Sequence, residues 1–194
     1  MNLQIKEIQK VCDYQRLERE IYDLDNFNHQ VACFPKQVFK KKYDKYYFLK
    51  DQDWFHLEVD YDRLLSFVRQ VGSTTFIASC PPYYMINAIE VPLSATSEDY
   101  ISSHTYSEME NHEDKGVGIR KAHETFFYDE AGKWAIVSDF LHGIMIVGVD
   151  KEVITPFQEH FQGLYSDIER FITDLEIFQN GEMSDKINVI KRYS

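Results

Sequence analysis

Apolar and polar positions along the chain follow two different periods, and each marks a different kind of element. From Glu124 to Asp150 (ETFFYDEAGKWAIVSDFLHGIMIVGVD) three short runs are rich in β-branched and aromatic residues and are separated by Asp and Gly. Thr125–Tyr128, Trp134–Ser138 and Ile144–Val149 are therefore predicted as strands. Between the first two, Asp129-Glu130-Ala131-Gly132 places Asp where a turn opens and Gly where a positive φ closes it, which is hairpin chemistry. The second link, Asp139–Gly143, is too short for a parallel crossover, so the three strands form an antiparallel meander. Ile144–Val149 is apolar on both of its alternating faces and is expected to be central and covered on both sides.

The helical period appears in three places. Ile8, Val11, Tyr14, Leu17, Ile21 and Leu24 recur at three- and four-residue steps and predict an amphipathic helix between Leu3 and about Asn26. Tyr61, Leu64, Leu65, Val68 and Val71 predict a second helix, with Asp60 as its N-cap and Gly72 as its stop. Ile154 to Phe178 carries a third stripe. Thr155-Pro156-Phe157-Gln158 opens it, Gly163 with Ser166-Asp167-Ile168-Glu169 divides it in two, and Asn180-Gly181 ends it. Thr74–Ala78 and Met85–Leu93 are further strands, separated by Pro81-Pro82, with Pro92 placing the end of the latter at an edge. The pattern predicts an α+β fold: a mainly antiparallel sheet, with its meander at about 124–150, packed by N-terminal, middle and C-terminal amphipathic helices. Residues 1–181 form one domain and 182–194 a tail.

Composition narrows the function classes. With 13 Tyr and 14 Phe the chain is rich in rings and has ample material for a core. It lacks an apolar run of the roughly 18 residues a membrane helix needs, and its N-terminus lacks the apolar centre of a signal peptide, so a cytoplasmic protein is expected. Cys12, Cys33 and Cys80 form no C-x-x-C pair and are read as reduced thiols. The net charge of −11 opposes nucleic acid and attracts cationic partners. The one basic stretch, Phe34–Lys50, interleaves six lysines with Tyr43, Tyr46 and Tyr47. Interrupted by Asp44 and followed by Asp51 and Asp53, it is better explained as an edge strand protected by lysine than as a phosphate track.

Candidate chemistry gathers in the least patterned segment, Ser94–Lys115 (SATSEDYISSHTYSEMENHEDK), the length and composition of a functional loop. Tyr100 and Tyr106 among Glu108, Glu110, Glu113 and Asp114 suit recognition of a basic protein and are the expected partner-binding residues. The same region offers His104, His112 and His123 as the metal ligands of an alternative reading, a metal-dependent hydrolase, but no H-E-x-x-H spacing joins them. Gly116-Val117-Gly118 lacks the third glycine of a dinucleotide loop and the Lys of a P-loop. Ser138, Asp139 and His142 have no nucleophile-elbow context. No cofactor is therefore expected. A ring-lined small-ligand regulatory domain is the third reading.

The hairpin FFYDEAGKWAIVSD, followed by a glycine-bearing apolar strand and an aromatic amphipathic helix, resembles the C-terminal half of several bacterial toxin-system immunity proteins and related bacterial families. The resemblance spans about Phe126 to Phe161. It implies a non-enzymatic protein that masks its partner with an acidic surface, and it supplies no motif that transfers residue by residue. The leading expectation is thus a cytoplasmic protein-binding protein of the immunity or inhibitor kind.

Overall fold

The computed structural model describes residues 6–7, 11–22, 38–50, 58–79, 89–100, 124–139 and 144–179. In chain order these form β1 (Lys6–Glu7), α1 (Val11–Ile21), β2 (Lys45–Lys50), α2 (Glu58–Gln70), β3 (Thr75–Ser79), β4 (Ile89–Pro92), β5 (Glu124–Tyr128), β6 (Trp134–Asp139) and β7 (Ile144–Val149). A single 3-10 turn, Lys151–Val153, leads into α3 (Ile154–His160), and α4 (Ile168–Gln179) follows. The strands make one seven-stranded sheet in the order β1-β4-β3-β5-β6-β7-β2, with every pairing antiparallel. The fold is α+β, as the pattern predicts.

The meander forms as its turn chemistry dictates. Gly132 has φ 66° and its N–H donates to the Asp129 carbonyl at 2.9 Å. The Asp129 carboxylate accepts the Trp134 N–H at 3.2 Å and so helps to build the turn. All six residues of β7 are buried, and the strand is covered on both faces as expected. Its place is second from the β2 edge rather than at the centre of the sheet, because β2 arrives from far earlier in the chain to pair outside it.

Each face of the sheet carries a continuous apolar row. Tyr47, Val147, Ile136, Phe127, Ala78 and Ile89 lie side by side across six strands, facing α2 and α3. On the other face, Phe48, Ile146, Val137 and Phe126 run beneath α1, α4 and the segment 38–43. The layers are helix, sheet, helix. Burial on both sides explains why β5, β6 and β7 read as nearly unbroken apolar runs.

Several local expectations are corrected by longer-range partners. The N-terminal helical stripe begins only at Val11, because Lys6 and Glu7 pair with Glu90 and Ile89 of β4. β4 is accordingly an inner strand. Pro92 lies beyond the reach of β1 and pairs with Thr75 alone among the described strands, so its missing donor leaves no ladder bond unmade. α2 starts at Glu58, which puts Asp60 inside the first turn, where its carboxylate accepts from Arg63. Gly72 does end α2, at φ 80°, with the Ser73 N–H donating to the Val68 carbonyl at 3.1 Å.

Thr155 does not cap α3. The helix grows out of the 3-10 turn, whose Lys151 N–H is taken by the Asp44 carboxylate at 2.8 Å, from a residue more than a hundred positions earlier. The division of the C-terminal stripe is real, with Gly163 at φ 71° between α3 and α4. Asp167 accepts the backbone N–H groups of Glu169 and Arg170 at 3.0 and 3.2 Å. Asp167→Ala is expected to cost about 1 kcal/mol in chemical denaturation, the usual worth of such a cap. The stop at Asn180-Gly181 and the tail lie outside the described residues.

β2 is an edge strand, as the lysine-rich stretch predicts. Its outer side is partly sealed. Phe48 and Tyr165 exchange two backbone hydrogen bonds of 2.9 Å, and Phe48 stacks on Phe171 at 5.6 Å.

Candidate functional site

The acidic segment leaves the fold at the end of β4 through a turn in which the Ala95 N–H donates to the Pro92 carbonyl at 2.9 Å. Thr96 and Asp99 then cap a helical turn reciprocally. The Thr96 N–H and hydroxyl donate to the Asp99 carboxylate at 3.0 and 2.8 Å, and the Asp99 N–H donates to Thr96 Oγ1 at 3.1 Å. These bonds, with the Thr96 backbone N–H foremost, hold the exposed Asp99 carboxyl below its ordinary pKa.

Inside this turn the chain is locked to α2. The Tyr61 hydroxyl donates to the Ala95 carbonyl at 3.0 Å, and the Tyr61 and Tyr100 rings stack with centroids 4.9 Å apart. Burial foremost, with Asp99 and Asp62 nearby, pushes the Tyr61 phenol well above its usual range, so it stays a neutral donor. Tyr100 is fully buried and also leans on Phe76. Its expected role as a partner contact is corrected: its ring roots the acidic segment in the core, while Glu98, two residues earlier, is exposed.

Tyr106, Glu108, Glu110, Glu113 and Asp114 lie outside the described residues, as do His104, His112 and His123. The segment returns at Glu124, the first residue of β5, opposite Asp139 of β6. The segment therefore leaves from β4 and returns to β5, the two strands that flank β3, at opposite ends of β3. Among the described residues, no three His, Cys, Asp or Glu side chains come together as metal ligands would.

A second polar group lies beneath α1, on the opposite face. Glu18 is 3% exposed, and its Oε1 accepts the Tyr128 hydroxyl at 2.9 Å. Beside it, Tyr22 donates to the Phe127 and Ile136 carbonyls at 3.0 and 3.3 Å. Ser79 of β3 is buried and near enough to favour the ionised carboxyl, yet its hydroxyl makes no hydrogen bond of normal geometry among the described residues. Burial outweighs both neighbours and pushes the Glu18 carboxyl up to about 7. The helical pattern alone does not single out Glu18, which follows the half-buried Leu17. The signal that marks it is its place four residues before Tyr22, on the same side of the helix.

A third cluster clamps the hairpin to the segment before β2. Lys41 Nζ donates to the Gly132 carbonyl and to the Asp150 carboxylate at 2.7 Å, and lies 4.7 Å above the Tyr43 ring. Tyr43 donates to the same Gly132 carbonyl at 3.2 Å. Every polar atom named here is spent on the fold, which makes this cluster a structural joint.

Among the described residues, no helix is long and apolar enough to cross a membrane. No family model matches the chain, and neither the curated proteins nor the solved structures contain a match to it.

Proposed function

We propose that this is a non-enzymatic binding protein, of the immunity or inhibitor kind, that engages a basic protein partner through its acidic segment. The carrying observation is the charge of that segment and the way it is held. Glu98, Asp99, Glu108, Glu110, Glu113 and Asp114 occur between residues 94 and 114 without a single Lys or Arg, and so supply six of the net eleven negative charges. The exposed described surface elsewhere mixes both signs, as on α1, where Arg16 pairs with Glu20. A one-signed segment of this kind steers a cationic partner and accelerates its docking. Tyr100 and Ala95, packed under Tyr61, give it a rigid base.

Replacing Glu108, Glu110, Glu113 and Asp114 together with alanine is expected to weaken partner binding at least tenfold at low ionic strength and to flatten its salt dependence, with the fold intact. Surface plasmon resonance at several salt concentrations checks this. Unchanged affinity and slope would remove the segment from the interface.

A further inference from the structure

Between α3 and α4 the chain passes from one face of the sheet to the other. Phe157 and Phe161 belong to the apolar layer on the α2 side, whereas Phe171 and Ile172 belong to the layer on the α1 side. A link between the two layers must go round an edge of the sheet, and it does so at β2, where Tyr165 meets Phe48.

β2 calls for such cover. It is the outermost strand on its side, six residues long, and reads Lys45-Tyr46-Tyr47-Phe48-Leu49-Lys50, with three aromatic residues and a leucine between two lysines. A bare edge of this composition is a template for another strand, and lysines at its ends are one of the usual defences. Phe48 exchanges both of its backbone bonds with Tyr165. Backbone groups alternate in direction along an antiparallel strand, so those of Tyr46 and Lys50 also point away from β7.

Tyr165 is seated by its backbone, its ring and its hydroxyl. The two backbone bonds to Phe48 are 2.9 Å long, and its ring lies 5.2 Å from that of Phe171, on which Phe48 also stacks. Its hydroxyl donates to the Asp174 carboxylate of α4 at 2.7 Å. The link is shaped on one side by Gly163, at φ 71°, and on the other by the Asp167 cap of α4.

We propose that this link is an autoinhibitory strap: Tyr165 occupies the place on β2 that the β2 strand of a second copy would otherwise take, and so keeps the chain from pairing edge to edge with itself. Antiparallel pairing centred on Phe48 would bond Phe48 to its counterpart and Lys50 to Tyr46 of the other copy. The two edges would be the same surface, so the pair closes about a two-fold axis into a dimer rather than growing into a fibre.

Sedimentation of the intact chain over a range of concentrations tests this. Tyr165→Pro lacks the N–H given to Phe48 and the ring that seats the strap, and it should form a dimer roughly tenfold or more tighter than any formed by the wild type. Adding Lys50→Pro, which removes an N–H facing away from β7, should return that variant to the wild-type state. A folded Tyr165→Pro chain that associates no more than the wild type, or a dimer that survives Lys50→Pro, would overturn the proposal. If Tyr165→Pro does not fold, Tyr165→Ala decides instead, because it keeps the backbone bonds and removes only the ring and its bond to Asp174. Tighter association that Lys50→Pro reverses supports the strap, and association equal to that of the wild type refutes it.

Discussion

Replacing Phe67 with alanine is expected to cost about 3–5 kcal/mol, the range for truncating a fully buried ring. Phe67 is 0% exposed on α2 and stands where α2, α3 and β6 meet. Its ring contacts Trp134 of β6 at 5.4 Å, Phe157 of α3 at 5.3 Å and Phe161 just beyond α3 at 5.6 Å, all near edge-to-face. Such pairs are worth about 0.5–1.5 kcal/mol each beyond the area they bury, and alanine removes all three at once. Nothing nearby can fill the space, because the neighbours are stiff rings already fixed against one another, Phe157 against Phe161 at 4.5 Å and against Tyr47 at 5.6 Å. In urea the midpoint should fall sharply with an unchanged slope, whereas Phe67→Leu should lose roughly half as much. A loss below about 1 kcal/mol would mean that α2 and α3 are not packed on the sheet as described.

Gly148→Ala is expected to be nearly as damaging, for the opposite reason. Gly148 lies in β7 between Tyr46 and Ala135, and the Tyr43 ring lies flat across it. A Cβ at this position would clash with Tyr43 Cδ2 and meet Cε2 at 2.7 Å, inside any real contact distance. The ring has little freedom to yield. Its hydroxyl is bonded to the Gly132 carbonyl, Lys41 rides on its face, and Phe39 presses its side at 5.4 Å. The expected cost is about 3 kcal/mol, at the upper end for overpacking, and it should also loosen the clamp on the hairpin. A double-mutant cycle with Tyr43→Leu should recover much of the loss in the Gly148→Ala background. Strict additivity of the two substitutions would show that the ring and the glycine do not touch.

How much of this was legible in the chain follows from the range over which each element is determined. The meander was readable because Asp129 and Gly132 carry their turn within four residues, and the two-sided burial of β7 because its apolar residues do not alternate with polar ones. The break between α3 and α4 was readable for the same reason, since Gly163 and Asp167 act on their own neighbours. What local pattern could not show was anything supplied from a distance. Asp44 takes the Lys151 N–H, and β1 claims residues that continue a helical stripe.

Burial of single polar residues was the least legible feature. Tyr100 stands among carboxylates in sequence and reads as surface, yet one helical turn swings it onto Tyr61. Glu18 reads as a polar residue beside a stripe, yet its turn of α1 lies over Tyr128 and Ser79. In both cases the deciding partner is more than thirty residues away. The acidic character of the segment from Glu98 to Asp114, by contrast, is a property of composition and needs no fold to be seen.

The measurement that tests the functional account most directly is a capture experiment from the native host with two baits side by side. One is the wild-type chain and the other carries alanine at Glu108, Glu110, Glu113 and Asp114, each at low and at high ionic strength. The account predicts one basic protein that is retained by the wild type at low salt, released at high salt and absent from the neutralised bait. The same proteins recovered on both baits, with the same dependence on salt, would contradict it.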